Sequence, residues 1–292
     1  MTDTPEILIP KRNIVMDSQV LSTLMSCPRL CDFRFNHNFQ SIKGKSESLG
    51  MGSIVHTFLE NYYKNVINGL SKPQAEAFAD TAARDYAMSE ECNGVAPDSK
   101  EWAFETCHQY LEHYKNDFWI PLEVEIVKSQ ILYEDDEIRI LWKAKLDLTM
   151  DTTQGIYPVD HKTMKQRRNT LILNNQFMGQ CILMGTRLMF VNKIGFQKTL
   201  KPADKFVRDP VSYSFDQLHE WQSVILPYYA KFYLAYTESE YWPPNFTHCE
   251  SKFGPCPFLD VCSVDRGMRE ETLGQQFVVG EPWDVTNPNE ED

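Results

Sequence analysis

The spacing of apolar residues predicts an α/β chain. Three observations carry this: a long period-2 run at 137–150, a second short strand directly after it, and helix-period segments on both sides of the pair. In residues 137–150, Ile138, Ile140, Trp142, Ala144, Leu146 and Leu148 alternate with charged or polar residues, as in a strand with one buried face. The turn-forming cluster 151–155 follows, and 156–162 resumes as a strand, so the two are expected to pair as a hairpin.

The flanking elements follow in order. Gly52, Ser53, Ile54, Val55 and His56 open a helix with Phe58, Leu59, Tyr62 and Tyr63 on its apolar side. Between about 71 and 119, alanines at 75, 77, 79, 82 and 83 and then Trp102, Phe104, Tyr110 and Tyr114 predict a two-helix insertion, broken near Pro97. Residues 123–133, 187–196 and 206–215 read as further strands, 171–187 as a helix, and 215–238 as a long aromatic-rich helix. One elaborated domain over 17–280 accounts for the length, with 1–16 and 281–292 expected to be mobile arms.

The hairpin carries the chemistry. Asp160 and Lys162 are two apart on one strand and leave the same face, with His161 pointing away. If Asp147 lies opposite, two carboxylates converge, which is tolerable mainly around a divalent cation, and oxygen donors suit Mg²⁺ or Mn²⁺. An isolated D-x-K is more often a solvated pair on an edge strand, and a lone His56 or Gln176 is more often structural.

Taken together and in this order, the pieces resemble the PD-(D/E)xK nuclease superfamily, in its RecB-like branch, which includes CRISPR spacer-processing and phage exonucleases. The likeness runs from about Leu21 to Cys262. Cys27-Pro28-Arg29 matches the N-terminal helix, Gly52 and His56 the G-x-x-x-H element, Asp147 the first acid, Asp160 and Lys162 the D-x-K, and Gln176 the helical glutamine. Ala144 stands where the family usually has glycine, and Gln180 where it has an aromatic residue.

The resemblance implies a restriction-endonuclease-like mixed central sheet flanked by helices. It also implies a metal-dependent DNA nuclease, more specifically an exonuclease, working on single-stranded or end-bearing DNA in recombination, repair or replication. A bacterial or phage-infected cell is the implied setting, with protein partners from a recombination or replication complex. His56, Asp147, Asp160 and the main-chain carbonyl of His161 would hold the metal, with Asp147, Asp160, Lys162 and Gln176 catalytic. Glu60, one helical turn after His56, is a weaker candidate for an outer position.

Eight cysteines are present, and with no secretory leader or long apolar run the chain reads as cytoplasmic, with no membrane partner and no structural disulfides. Cys249, Cys256 and Cys262 crowd a Gly- and Pro-containing loop, with six and then five residues intervening, a spacing able to wrap a metal centre. The family resemblance implies a [4Fe-4S] cluster with Cys27 as fourth ligand, stapling the N- and C-terminal regions together. Cys31 is the rival ligand and Zn²⁺ the rival metal, with His248 a possible imidazole donor. Cys92, Cys107 and Cys181 have no partner spacing and are expected to be bystanders.

The formal net charge of −12 excludes a protein that coats nucleic acid along its whole surface. Local basic groups remain as phosphate contacts: Lys165, Arg167 and Arg168 directly after the D-x-K strand, and Lys193, Lys198, Lys201, Lys205 and Arg208 further on. Two other classes stay open: a non-catalytic DNA-end-binding or assembly subunit that keeps the fold, and a zinc-stabilised interaction module.

Overall fold

The structure, a computed structural model, describes residues 11–42, 46–164, 173–251 and 254–284. Strand β1 (Arg12–Met16) leads into α1 (Ser18–Ser26), α2 (Pro28–Cys31) and a short β2 (Phe39–Ser41). Helices α3 (Glu47–Ile67), α4 (Lys72–Ala87) and α5 (Pro97–His113) precede the strands β3 (Ile120–Glu134), β4 (Ile138–Thr152) and β5 (Gly155–Met164). Then come α6 (Asn175–Leu183), β6 (Leu188–Gly195), α7 (Pro202–Lys205) and β7 (Phe206–Ser212). Helices α8 (Phe215–Glu220) and α9 (Leu226–Ser239) are followed by β8 (Glu250–Ser251), β9 (Gly254–Pro255), α10 (Leu259–Ser263), α11 (Arg269–Gln276) and β10 (Phe277–Val279).

The main sheet is mixed, in the order β1-β4-β5-β6-β7, with β3 along the other edge of β4. Pairing is parallel for β1 with β4 and β5 with β6, and antiparallel for β3 with β4, β4 with β5 and β6 with β7. The alternation read at 137–150 is the alternation of β4, whose even-numbered residues 138–150 are all buried.

Strand β4 changes partners along one edge, and this makes the site. Arg12 to Met16 pair with Ile138 to Trp142, whereas β5 pairs only with Leu148 to Thr152. At Leu148 and Val159 the hairpin forks: β4 continues between β3 and β1, while β5 crosses to β6. Asp147 and Asp160 are the first residues beyond the fork on either strand.

Two cores cover the sheet. One gathers Trp142, Ile138 and Ile140 with α1, α6 and α9; the other gathers Leu148, Met150 and Val159 with α3, α4 and α5. In α4, Ala75, Ala79, Ala83 and Ala87 repeat every four residues and are all buried, a small-residue ridge that lets α3 approach closely. Pro97 stands at the start of α5, where its missing N–H costs nothing. Both helices fall within residues 71–119. Among the described residues no helix is long and apolar enough to cross a membrane.

Several boundaries differ from expectation. Residues 12–16, assigned to an arm, form β1, because Ile14 and Met16 alternate into the core and β4 offers an edge. At the other end, Trp283 packs edge-on against Phe35 and donates from Nε1 to Asp17 Oδ2 at 2.5 Å, so 281–284 is held down too. The helix expected from 171 begins at Asn175, capped by the Asn174 side chain, and Leu171 lies outside the described residues. The long helix from 215 runs unbroken to Ser239 as α8 and α9, with a π segment at Trp221–Ile225 between them, just before Pro227, which cannot donate a helical hydrogen bond.

Gly179 on α6 shows how closely helix and sheet approach. A Cβ there would lie 2.4 Å from Trp142 Nε1, and that indole is fully buried, with nowhere to retreat. Gly179→Ala is expected to destabilise the chain by about 1–3 kcal/mol, as overpacking does. Urea unfolding at a single pH measures it; an unchanged midpoint would show that α6 can slide.

Candidate active site at the fork of the sheet

The fork brings the sequence-predicted residues together. The His161 N–H, freed from the β4 ladder, donates to Asp147 Oδ2 at 2.7 Å, tying one prong to the other. His56 Nδ1, from α3, lies 3.8 Å from the same oxygen. Lys162 Nζ lies 3.4 Å from Asp160 Oδ2 and donates to Gln176 Oε1 at 3.0 Å. Gln176 Nε2 donates in turn to Asp160 Oδ1 at 2.9 Å, so one amide orients both members of the D-x-K. Gly52 positions α3 here: a Cβ would lie 2.9 Å from Thr163 Oγ1 on β5.

Burial sets the electrostatics. Asp160 is 1% exposed, and that desolvation, aided by the Asp147 charge and only partly offset by Lys162, pushes its carboxyl up to about 7. For Asp147 burial acts in the same upward direction, but His56, His161, Lys162 and the His161 N–H outweigh it, leaving the group below its ordinary range. The two acids are thus pushed in opposite directions, Asp160 up and Asp147 down. Asp160 Oδ2 is buried and accepts no hydrogen bond. A buried carboxylate oxygen without a hydrogen-bond donor, beside a second carboxylate, suits a hard cation. Among the described residues no three His, Cys, Asp or Glu side chains are already drawn together as a metal cage.

His161 turns its ring away from the fork, as alternation requires. The ring is buried, stacked on Tyr63 at 5.9 Å, and desolvation holds it down at about 3, hence neutral. Its Nδ1 is 3.2 Å from Asn192 Nδ2 and can accept from it. Asn192 Oδ1 accepts from Arg208 Nε at 2.8 Å, and Arg208 pairs with Asp117 at 2.7 Å. This buried chain braces the back of β5, and no local pattern announces it. Asn192, Asp117 and Arg208 meet only through tertiary folding.

The second basic cluster is corrected by the same contacts. Arg208 is largely buried, Lys193 is buried against Asp209, and Lys205 is buried, donating to Gln109 Oε1 at 2.6 Å. Lys198, over Trp102, and Lys201 are the two exposed members. These five do not form a solvent-facing track. Lys165, Arg167 and Arg168 lie outside the described residues. Tyr62 and Tyr63 are buried and pack the core.

Glu125 is the residue that sequence reasoning missed. Val124 pairs with Leu148 and Ile126 with Leu146, which sets Glu125 opposite Asp147. It is partly buried, forms an ion pair with Lys145, and is pushed up to about 7 by desolvation and the Asp147 charge. Glu60, by contrast, pairs with Lys64 along its own helix. Its charge still reaches Glu125.

The cysteines fall into two groups by burial. Cys31, Cys92, Cys107 and Cys181 are buried, whereas Cys27, Cys249, Cys256 and Cys262 are partly exposed. Cys31 Sγ points at the Val20 carbonyl, 3.8 Å away. Cys27 Sγ instead accepts from the Asn245 N–H at 3.3 Å, four residues before Cys249. Burial, followed by the charges of Cys262 and Cys27, raises Cys249; burial and those same two thiols raise Cys256, so the four lie in one neighbourhood. Phe258 and Phe277, stacked at 4.2 Å, give this lobe a small core of its own with Phe33 and Phe39.

Two solved structures are similar to this chain. A solved structure of a putative exonuclease from Eubacterium rectale is 14% identical, covering 93% of this chain and 91% of that one, with a TM-score of 0.49. The crystal structure of SSO0001 is 10% identical, covering 62% of this chain and 85% of that one, with a TM-score of 0.32. No curated protein matches. The family model of the PD-(D/E)XK nuclease superfamily matches residues 18–263, a span that takes in the fork, both strands of the hairpin and Cys27, Cys249, Cys256 and Cys262. The chain belongs to the PD-(D/E)XK nuclease superfamily.

Proposed function

We propose that the chain is a Mg²⁺- or Mn²⁺-dependent DNA nuclease, acting as an exonuclease on single-stranded or end-bearing DNA. The observation that carries this reading is the convergence of Asp147, Asp160, Lys162, Gln176 and His56 on one fork, with a buried Asp160 oxygen left without a hydrogen-bond donor. Asp147, Asp160, His56 and the carbonyl of His161 are the candidate donors. A divalent cation held there would polarise the scissile phosphate and lower the pKa of a water. Lys162 reaches the same space, offsets negative charge as it develops on the phosphoryl group, and orients the attacking water. Gln176 keeps Lys162 beside Asp160, and the His161 N–H keeps Asp147 turned toward the fork. By family likeness the products are a 5′-phosphate and a 3′-hydroxyl.

The four thiols support a [4Fe-4S] centre with a structural role, with Zn²⁺ the other outcome of a metal assay. Recombination, repair or replication in a bacterium or phage-infected cell is the setting the likeness suggests. Anaerobic purification followed by Mn²⁺-dependent digestion of end-labelled single and double strands tests the reading. Lys162→Ala is expected to lose about 10²–10³-fold in rate while still binding Mn²⁺. A wild-type chain that binds DNA ends yet makes no cut would instead be a non-catalytic end-binding subunit.

A further inference from the structure

We infer that Lys143 and Lys145 form a phosphate-binding row that leads the DNA strand into the fork, each taking one of two successive phosphates, with Asp284 giving way at Lys143. The inference rests on the nuclease reading and adds to it a substrate track that the comparisons do not assign.

Alternation lays the row out. Along β4 the even-numbered residues are buried, whereas Lys143, Lys145 and Asp147 stay partly exposed and leave one face of the strand. Two residues of strand advance about 6.5 Å, a step of the same order as that between neighbouring phosphates of an extended single strand. A nucleic-acid chain laid along this face therefore meets one ammonium per phosphate on its way to Asp147. The sheet leaves an edge open at the same place. Strand β1 stops pairing at Trp142 and β5 joins only at Leu148, so residues 143–147 have neither strand beside them on that edge. The stretch is nevertheless fixed. The Lys145 carbonyl accepts from Gln180 Nε2 at 3.4 Å, and Gln180 is 1% exposed on α6, one turn after Gln176.

Charge supplies the rest of the case. On a chain with a formal charge of −12 a DNA strand needs a local source of positive charge, and Lys193, Lys205 and Arg208 are engaged inside the fold. Lys143 is held differently. Its Nζ lies 3.9 Å from Asp284, beyond hydrogen-bond reach, and the two side chains are 30% and 51% exposed. Across from it on β3 stands Ser129, exposed and uncharged. Lys145 pairs with Glu125, and its side chain keeps 24% of its surface in solvent. An exposed pair as loose as Lys143 with Asp284 contributes little, whereas a phosphate oxygen offers the ammonium a charge-assisted hydrogen bond. The phosphate therefore displaces the carboxylate. Trp283, anchored on Asp17, keeps Asp284 beside the row when no strand is bound.

The test is binding of an end-labelled single-stranded oligonucleotide by the full-length chain, read by fluorescence anisotropy against salt concentration with Ca²⁺ in place of Mn²⁺. Lys143→Met keeps the stem and removes the charge. It should weaken binding about fivefold at about 0.1 M salt and make the logarithmic salt slope shallower by about 0.7, the signature of one lost phosphate contact. Lys145→Met should act alike, but it leaves Glu125 without its lysine, so melting curves accompany it and Lys143→Met is the deciding variant. Asp284→Asn should tighten binding about twofold in the wild-type background and not in Lys143→Met. A single uncharged methylphosphonate linkage, moved along the oligonucleotide, should cost the wild type affinity at the position Lys143 holds and cost Lys143→Met nothing there. An unchanged salt slope in Lys143→Met, or methylphosphonate losses identical in wild type and variant, would overturn the inference, and a wild type that still cuts DNA leaves the nuclease reading standing. A wild type whose binding depends on Lys143 in this way but which never cuts with Mn²⁺ supports the row and overturns the nuclease reading. No binding at all overturns both.

Discussion

Asparagine in place of Asp160 should abolish DNA cleavage and, in the cation-free chain at pH 8, raise the melting temperature. The first effect follows from removing a charged metal donor at the fork and the carboxylate charge that Lys162 pairs with. The second follows from where that charge sits. Asp160 is buried, and its folded pKa of about 7 stands above the ordinary 3.8. The folded state therefore holds a proton that the unfolded chain releases. Its contribution to stability is fully present below about pH 4 and is lost as pH rises through 7. Glu125, at about 7 against an ordinary 4.5, adds to the same trend. Above pH 7 the chain pays for two buried carboxylates, on the order of a few kcal/mol in total.

Asparagine keeps the shape and the acceptor for Gln176 Nε2 while removing one of those charges. Melting curves of wild type and Asp160→Asn at pH 5 and pH 8, with and without Mn²⁺, separate the terms. The wild type should lose stability between the two pH values and recover it with Mn²⁺, because a ligand that binds only the folded state stabilises it by mass action. The variant should lose less and recover less. Wild-type cutting by Asp160→Asn would remove this carboxylate from the mechanism, and identical pH profiles would remove the buried charge from the stability argument.

The parts of this site that could be read from the sequence are those set by local geometry. Alternation puts Asp160 and Lys162 on one face whatever surrounds the strand, and the hairpin turn brings Asp147 near them. Gln176 and His56 were identifiable only through their order along the chain, since neither residue alone distinguishes a ligand from a packed helix side chain. The fork itself was not readable. It exists because β1, a five-residue strand more than 120 positions away from its partner, occupies the same edge of β4 as β5 does. Glu125 depends on that same nonlocal register. Lys193, Lys205 and Arg208 show the reverse error: a basic residue looks solvent-facing until an acid or amide from a distant element pairs with it. Arg208 meets Asp117 from 91 positions away, and Lys205 meets Gln109 from 96.

Serine in place of Cys27 should release iron and acid-labile sulfide, loosen the segment 249–276 toward proteases, and leave Mn²⁺ binding at the fork intact. A centre held by Cys27 and by Cys249, Cys256 and Cys262 would close a loop of more than 200 residues, and cross-links over long loops stabilise by roughly 3–5 kcal/mol in the chain-entropy view. The lobe is not held by thiols alone. Asn245 Nδ2 donates to the Ser26 carbonyl at 2.8 Å, the Arg29 N–H to Pro243 at 3.2 Å, and β10 pairs with β2. The expected result is therefore a loosened lobe on a folded nuclease sheet rather than global unfolding. Cys31→Ser is the matched control: its thiol is fully buried and faces the Val20 carbonyl, so the variant should keep its iron and lose only packing. Limited proteolysis with iron, zinc and sulfide assays on the same anaerobic preparations decides it. Zinc without sulfide would make this a zinc lobe, and loss of metal from Cys31→Ser but not Cys27→Ser would exchange their roles. Retention of iron by both would detach the N-terminal helix from the centre altogether, leaving contacts such as these three and Trp283 on Asp17 and Phe35 to join the two ends of the chain.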